Sequence, residues 1–165
     1  MVTITERFRN DTTSVYSEDA DLVWERTFDA PREVVWQAFM DPERIPLWWG
    51  PHGSTATVVE MDVRPGGTWR FISRAPGRED VPFTGEYLEL DPPASFKQTF
   101  IVDVDGMREH VGHESFTFEE VNGKTKLTSR SHFPSVDELE GALATGMIAG
   151  GVETWDRFEA MLADR

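Results

Sequence analysis

Few residues in this chain have the chemistry for catalysis or coordination. Four histidines (His52, His110, His113 and His132) and one carboxylate in an aromatic strand segment, Glu114, are the candidates, and cysteine is absent. His110 and Glu114 stand four residues apart on one face of an expected strand, so about 13 Å separates them. They cannot touch, but one bound molecule could meet both. A Glu114 buried without a partner would have a raised pKa and serve as an acid or base. Pairing with a basic side chain, or contact with water, would leave it an ordinary glutamate. His110 and His113 point to opposite strand faces and no HExxH-type motif occurs, so no metal site is expected. Without cysteine there is no thiolate zinc site, disulfide framework or cysteine nucleophile. GxSxG, Walker A and Rossmann patterns are absent, and Gly66-Gly67 reads as a hairpin turn because a strand follows it. No catalytic residue and no cofactor are assigned.

The aromatic residues carry a stronger pattern. Followed strand by strand, alternation places Trp69 with Phe71, and Phe96 with Gln98, Phe100 and Val102. It likewise groups His110, Gly112, Glu114, Phe116 and Phe118, and on the last strand Thr125, Leu127, Ser129 and Ser131. A surface that is mostly apolar with a few convergent polar groups is typical of a small-molecule pocket. A filled core with its polar residues at solvent-exposed strand ends is the other reading of the same rows. Trp48 and Trp49 cannot both point inward from a regular helix. One is expected to seal the pocket, the other to pack under the loop Gly50-Pro51-His52-Gly53 or line its mouth. The candidate ligand-binding set is Trp48, Trp49, Trp69, Phe71, Gln98, Phe100, His110, Glu114, Phe116, Gly150 and Trp155.

These side chains need a scaffold, and the punctuation of the sequence outlines one. Residues 1–20 are rich in Thr, Ser, Asp and Asn with little periodicity and read as an arm, extended or partly disordered, ahead of a single domain over 21–165. Asp21 to Phe28 suits a strand. Asp29-Ala30-Pro31 then starts a short amphipathic helix carrying Val34, Val35, Ala38 and Phe39, with Asp29 or Ala30 as cap, and a one-turn helix follows from Asp41-Pro42. From Thr55 to Phe133 a period of two, broken by turn dipeptides, predicts six strands; Asn122-Gly123 is the clearest turn. Ser135 and Glu138 form a capping box ahead of a helix of about 27 residues with Leu139, Leu143, Met147, Trp155, Phe158 and Leu162 on one stripe. Gly146, Gly150 and Gly151 fall inside it at about 1 kcal/mol each relative to alanine, which implies close backbone approach to the sheet or room for a ligand. The fold class is α+β: an antiparallel sheet with one apolar face covered by one long helix.

Charge narrows the partners. Thirty Asp and Glu against 16 Lys and Arg give a formal charge of −14, which repels phosphate backbones and anionic headgroups, so neither nucleic acid nor membrane is expected as a partner. The absence of cysteine suits a reducing, cytoplasmic setting, and the N-terminal stretch has no apolar run. Aromatics make up 12% of the chain, with six tryptophans, and a domain of this length buries roughly two-thirds of its unfolded surface.

Five segments in order carry a resemblance: Phe28-Asp29-Ala30-Pro31-Arg32-Glu33-Val34-Val35-Trp36, Leu47-Trp48-Trp49-Gly50-Pro51, Met61-Asp62-Val63-Arg64-Pro65-Gly66-Gly67-Thr68-Trp69, Gly85-Glu86-Tyr87-Leu88-Glu89-Leu90-Asp91-Pro92-Pro93, and Gly150-Gly151-Val152-Glu153-Thr154-Trp155-Asp156-Arg157-Phe158. Over about residues 22 to 163 the chain resembles the START-like or SRPBCC superfamily. Within it, the chain is similar to the C-terminal domain of the heat-shock protein 90 ATPase activator. The resemblance implies a helix-grip fold, in which about seven strands wrap a C-terminal helix around a cavity that in the wider superfamily holds lipids, sterols or polyketides. Carriers, sensors, cyclases and a co-chaperone domain share that fold, so it selects no single chemistry.

The expected function is a non-catalytic module that binds a small apolar or aromatic molecule between sheet and helix, oriented by Gln98, His110 or Glu114. Two others stay open. One is a polyketide cyclase or dehydratase-like enzyme with His110 and Glu114 as acid and base. The other is a protein-interaction domain with a chaperone partner, or with a second copy paired along a sheet edge as a homodimer.

Overall fold

A computed structural model describes residues 1–164. Nine antiparallel strands form one sheet in the order β1-β2-β3-β9-β8-β7-β6-β5-β4. They are β1 (Ile4–Arg9), β2 (Thr13–Glu18), β3 (Asp21–Phe28), β4 (Thr55–Met61), β5 (Thr68–Ala75), β6 (Arg78–Asp91), β7 (Ser95–Val102), β8 (Gly112–Val121) and β9 (Lys124–His132). Between β3 and β4 lie α1 (Arg32–Met40) and α2 (Ile45–Trp48), and after β9 come α3 (Val136–Leu143) and α4 (Met147–Ala163). None of these helices is long and apolar enough to cross a membrane.

The count of nine strands corrects the expected seven, and the two extra strands come from residues 1–20. That segment, expected as an arm, is a hairpin laid on the edge of β3. Its buried row is Thr13, Val15 and Ser17, at most 2% exposed. Only one of the three is apolar, so the alternation is faint in the sequence. Val15 packs with Leu22, Trp24 and Leu139 in a core cluster of its own. The Asn10 side chain closes the turn by accepting from the amides of Thr12 and Thr13 at 2.9 and 2.8 Å.

The expected long helix is also corrected, because it is two helices. Ser135 caps α3 as the capping box predicts, its hydroxyl accepting from the Glu138 amide at 3.1 Å. Gly146 then breaks the run at φ +83°, a left-handed conformation in which glycine is nearly free of steric cost. α1 departs in detail too. Its cap residue is Pro31, and neither Asp29 nor Ala30 caps it by side chain. The Glu120 carboxylate, near the end of β8, accepts from the Arg32 amide at 2.9 Å instead. The Asn122-Gly123 turn forms as expected, with φ of +53° and +78°.

The main core sits between the sheet, α1 and α4. Phe28, Trp36, Phe39, Phe118, Phe158 and Leu162 lie there, each at most 8% exposed. Arg26, buried on β3, anchors α4 by ion pairs to Asp156 at 2.8 Å and Glu159 at 3.1 Å.

Candidate functional site

The sheet and α4 do not close evenly. Over the C-terminal half of α4, Phe158 meets Trp48, Phe28 and Phe39 at ring separations of 4.7, 5.0 and 5.2 Å. Over the N-terminal half, Ile148, Val152 and Trp155 still pack on the cluster around Trp24, but Gly150, Gly151 and Thr154 put little side chain over β5–β9, and there a hollow of about 440 Å³ opens. Gly151 is held against the ring of Trp24, where an added Cβ would come within 2.5 Å. A Cβ on Gly150 would meet nothing within 4 Å. The two adjacent glycines thus answer the two sequence-level explanations separately: one permits close approach and the other leaves space.

Strand register assembles the polar part of the wall. Tyr87, Gln98, Glu114 and Ser131 are successive cross-strand partners on β6, β7, β8 and β9. Alternation turns all four toward the hollow. Gln98 Nε2 donates to Glu114 Oε1 at 2.9 Å. Burial pushes the Glu114 carboxyl above the ordinary glutamate range, and hydrogen bonds from Gln98 and Ser131 oppose that shift only in part. The accessible surface it keeps faces the hollow.

The aromatic part surrounds this row. Trp69 lies 4.8 Å from Phe71 and 5.9 Å from Phe100, and Phe116 stacks on Phe96 at 4.6 Å. Both Trp48 and Trp49, members of the candidate set, line the hollow. Trp48 ends α2, donates its indole N–H to the Ala38 carbonyl at 3.0 Å and stacks on Trp155 at 5.9 Å. Trp49 has already left the helix at ψ 119°, and this change of backbone turns its ring inward too, against Phe83 and Phe71.

Of the sequence-derived set, ten residues meet around one space and one does not. His110 is the exception. The chain coils through Val104–His110 before β8 begins at Gly112, because Arg108 gathers Asp103 and Asp105 at 2.7 Å each and Met107 accepts from the His110 amide. His110 is therefore exposed on a loop, 3.4 Å from Glu138, and contributes nothing to the wall. The acid–base pairing of His110 with Glu114 is not assembled. Trp24, Phe83, Tyr87 and Ser131 line the hollow but were not in the expected set. Alternation on β3 and β6 carried the signal for the first three, since Trp24 shares its face with Leu22 and Phe28, and Phe83 with Gly85 and Tyr87.

The mouth lies where the lining reaches solvent, between Gly50-Pro51 and the start of α4. Two contacts strap the α2–β4 loop to the helix there. Arg157 donates to the carbonyls of Gly50 at 2.8 Å and Pro51 at 3.2 Å, and Glu153 accepts from the His52 amide at 2.9 Å.

A curved antiparallel sheet wrapped on a C-terminal helix defines a helix-grip α+β domain. Residues 29–163 match the family model described as Activator of Hsp90 ATPase homolog 1-like protein, and the chain belongs to that family. Protein Ms6760 from Mycobacterium smegmatis is similar to it at 28% identity, with 98% of this chain and 97% of that one covered and a TM-score of 0.77. A Staphylococcus epidermidis protein is 26% identical over 91% of this chain and 93% of its own, with a TM-score of 0.80. The AHSA1 protein from Silicibacter pomeroyi shares the fold, at 22% identity and a TM-score of 0.72, over 87% and 98% of the two chains. Comparison with curated protein sequences gives no match.

Proposed function

We propose that this protein binds a small apolar or aromatic molecule in the hollow between the sheet and α4, without catalysing a reaction on it. The observation that supports this most is the hollow itself: about 440 Å³, with an aromatic wall that carries one cross-strand polar row. That volume falls within the roughly 300–1,000 Å³ typical of small-molecule sites. Burial against the rings supplies most of the affinity, at about 25 cal/mol per Å² of apolar surface. The row Gln98, Glu114 and Ser131 orients the guest. Glu114 alone, with no basic partner among the described residues of the wall, provides an anchoring group but not an acid–base pair.

Native mass spectrometry of freshly purified protein tests this directly, since a bound molecule adds a discrete mass. Gly150→Leu is the matched control, because its side chain extends into the open space beside Gly150 and should expel the guest while leaving the fold intact. Repeatedly empty spectra, together with unquenched tryptophan emission across a panel of apolar compounds, would sink the proposal.

A further inference from the structure

We infer that the guest of this hollow is an apolar molecule bearing one cationic amine, its ammonium group seated against Glu114 among the surrounding ring faces. This names the ligand class for the cavity reading above and rests on it. Charge carries the argument. Among the described residues, Glu114 is the one acidic side chain in the lining, which contains no lysine, arginine or histidine. Its hydrogen-bond partners, Gln98 and Ser131, are both neutral. Nothing in the wall therefore balances a carboxylate.

The rest of the wall favours the same sign. Twelve of its 25 residues are aromatic, and the face of an aromatic ring is the negative part of its quadrupole, which attracts ammonium groups. Trp24, Trp48, Trp49, Trp69 and Trp155, five of the six tryptophans, are in this wall, and indole offers the strongest such face. A carboxylate or phosphate headgroup in the same position would meet Glu114 and the ring faces with like charge. The net charge of −14 adds a longer-range field that draws cations toward the mouth and repels anions.

Proton linkage follows from the neighbours of Glu114. Gln98 on β7 and Ser131 on β9 are its hydrogen-bond partners, and Ser129 on β9 and Thr154 on α4 share the lining, none of them ionisable. Tyr87 on β6 is the other titratable group of the wall, and burial with a contribution from Asp62 pushes its hydroxyl far above neutrality, so it stays protonated. In the empty protein, burial favours the uncharged form of Glu114. A neighbouring cation favours the carboxylate, so binding releases a proton. Affinity for a permanent cation therefore rises as pH increases through the carboxylate range and levels off above the elevated pKa of Glu114.

The test is a tryptophan-fluorescence titration of the full chain with three probes of one shape: phenylbutyltrimethylammonium, its uncharged tert-butyl counterpart, and 5-phenylpentanoate. At about pH 8 the ammonium probe should bind about tenfold more tightly than the uncharged one, with the carboxylate weakest. That preference should shrink toward pH 5. Glu114→Gln, near-isosteric, should cut the preference to the smaller part that the ring faces supply and erase its pH dependence. Equal or tighter binding of the neutral or anionic probe by the unaltered chain overturns the cationic class and leaves the cavity reading standing, a result that needs no variant to fold. A cation preference that keeps its full size and its pH dependence in Glu114→Gln overturns the assignment to this residue. Failure of all three probes, with empty native spectra, overturns the cavity reading as well.

Discussion

The two halves of α4 face the same sheet and are surrounded by the same residue type, yet one closes a solid core and the other roofs a hollow. At the C-terminal half, Phe158 and Leu162 are at most 2% exposed, and Phe158 fills the gap among Phe28, Phe39 and Trp48, edge-on to the first and last and tilted against Phe39. At the N-terminal half, Ile148, Val152 and Trp155 pack toward Trp24, while Gly150, Gly151 and Thr154 insert little, and a hollow lies between them and the rings of Trp69, Phe100 and Phe116. Aromatic residues alone therefore do not make a container. What the helix withholds makes it, and the helix can withhold volume because it is held elsewhere. Arg26 grips Asp156 and Glu159 on one side, and Arg157 and Glu153 strap the α2–β4 loop on the other.

The contrast breaks or sharpens most visibly at its two extremes. Phe158→Ala should cost about 3–5 kcal/mol, since it empties a fully packed site. Phe100→Ala should cost only about 1–2 kcal/mol because part of that ring already borders open space. Chemical denaturation of both variants measures the difference, and equal losses would show that the two halves are packed alike. The glycines divide next. Gly151→Ala drives a methyl into the Trp24 ring and should destabilise by about 1–3 kcal/mol through overpacking, more than the ~1 kcal/mol that alanine returns in helix propensity. Gly150→Ala meets no atom and should stabilise by about 0.5–1 kcal/mol. Thermal melts of the pair should move in opposite directions.

The finest test is a slope. Glu114 has a folded-state pKa raised above its unfolded value. Its protonated form is thus at home in the fold, and its contribution to stability is lost as pH rises from the ordinary carboxylate range through the elevated pKa. Glu114→Gln should accordingly be more stable than the parent chain at neutral pH, with the advantage fading as the solution is acidified. A gain independent of pH would place Glu114 in contact with bulk water.

Much of the site could be read from the sequence because strand alternation is local. Trp69 with Phe71, and Gln98 with Phe100, face the same side whatever the rest of the chain does, and Glu114 with Phe116 follows the same parity. Parity fails where the strand does not extend. His110 left the set because an arginine clamp at Arg108 coils the segment before β8, and a side chain binding across a loop leaves no periodic trace. Trp48 and Trp49 were both in the set, but the change of backbone conformation that lets two adjacent rings reach one wall is not something hydropathy records. The β1–β2 hairpin was obscured for a third reason: its inward row uses Thr13 and Ser17, polar residues buried by tertiary partners.

The sequence by itself determined the elements set by neighbouring residues. These are the Ser135 cap, the Asn122-Gly123 turn, the six strands from Thr55 onward, and the membership of the aromatic faces. It also placed glycines at 146, 150 and 151 in the closing helical segment, though not the break at Gly146 that splits that segment in two. Only the tertiary structure decided what each glycine does: Gly146 ends a helix run, Gly151 receives the Trp24 ring, and Gly150 opens onto empty space. A hollow is a mismatch in volume between surfaces far apart in the chain. No local pattern of residues encodes that mismatch until the sheet and the helix are brought face to face.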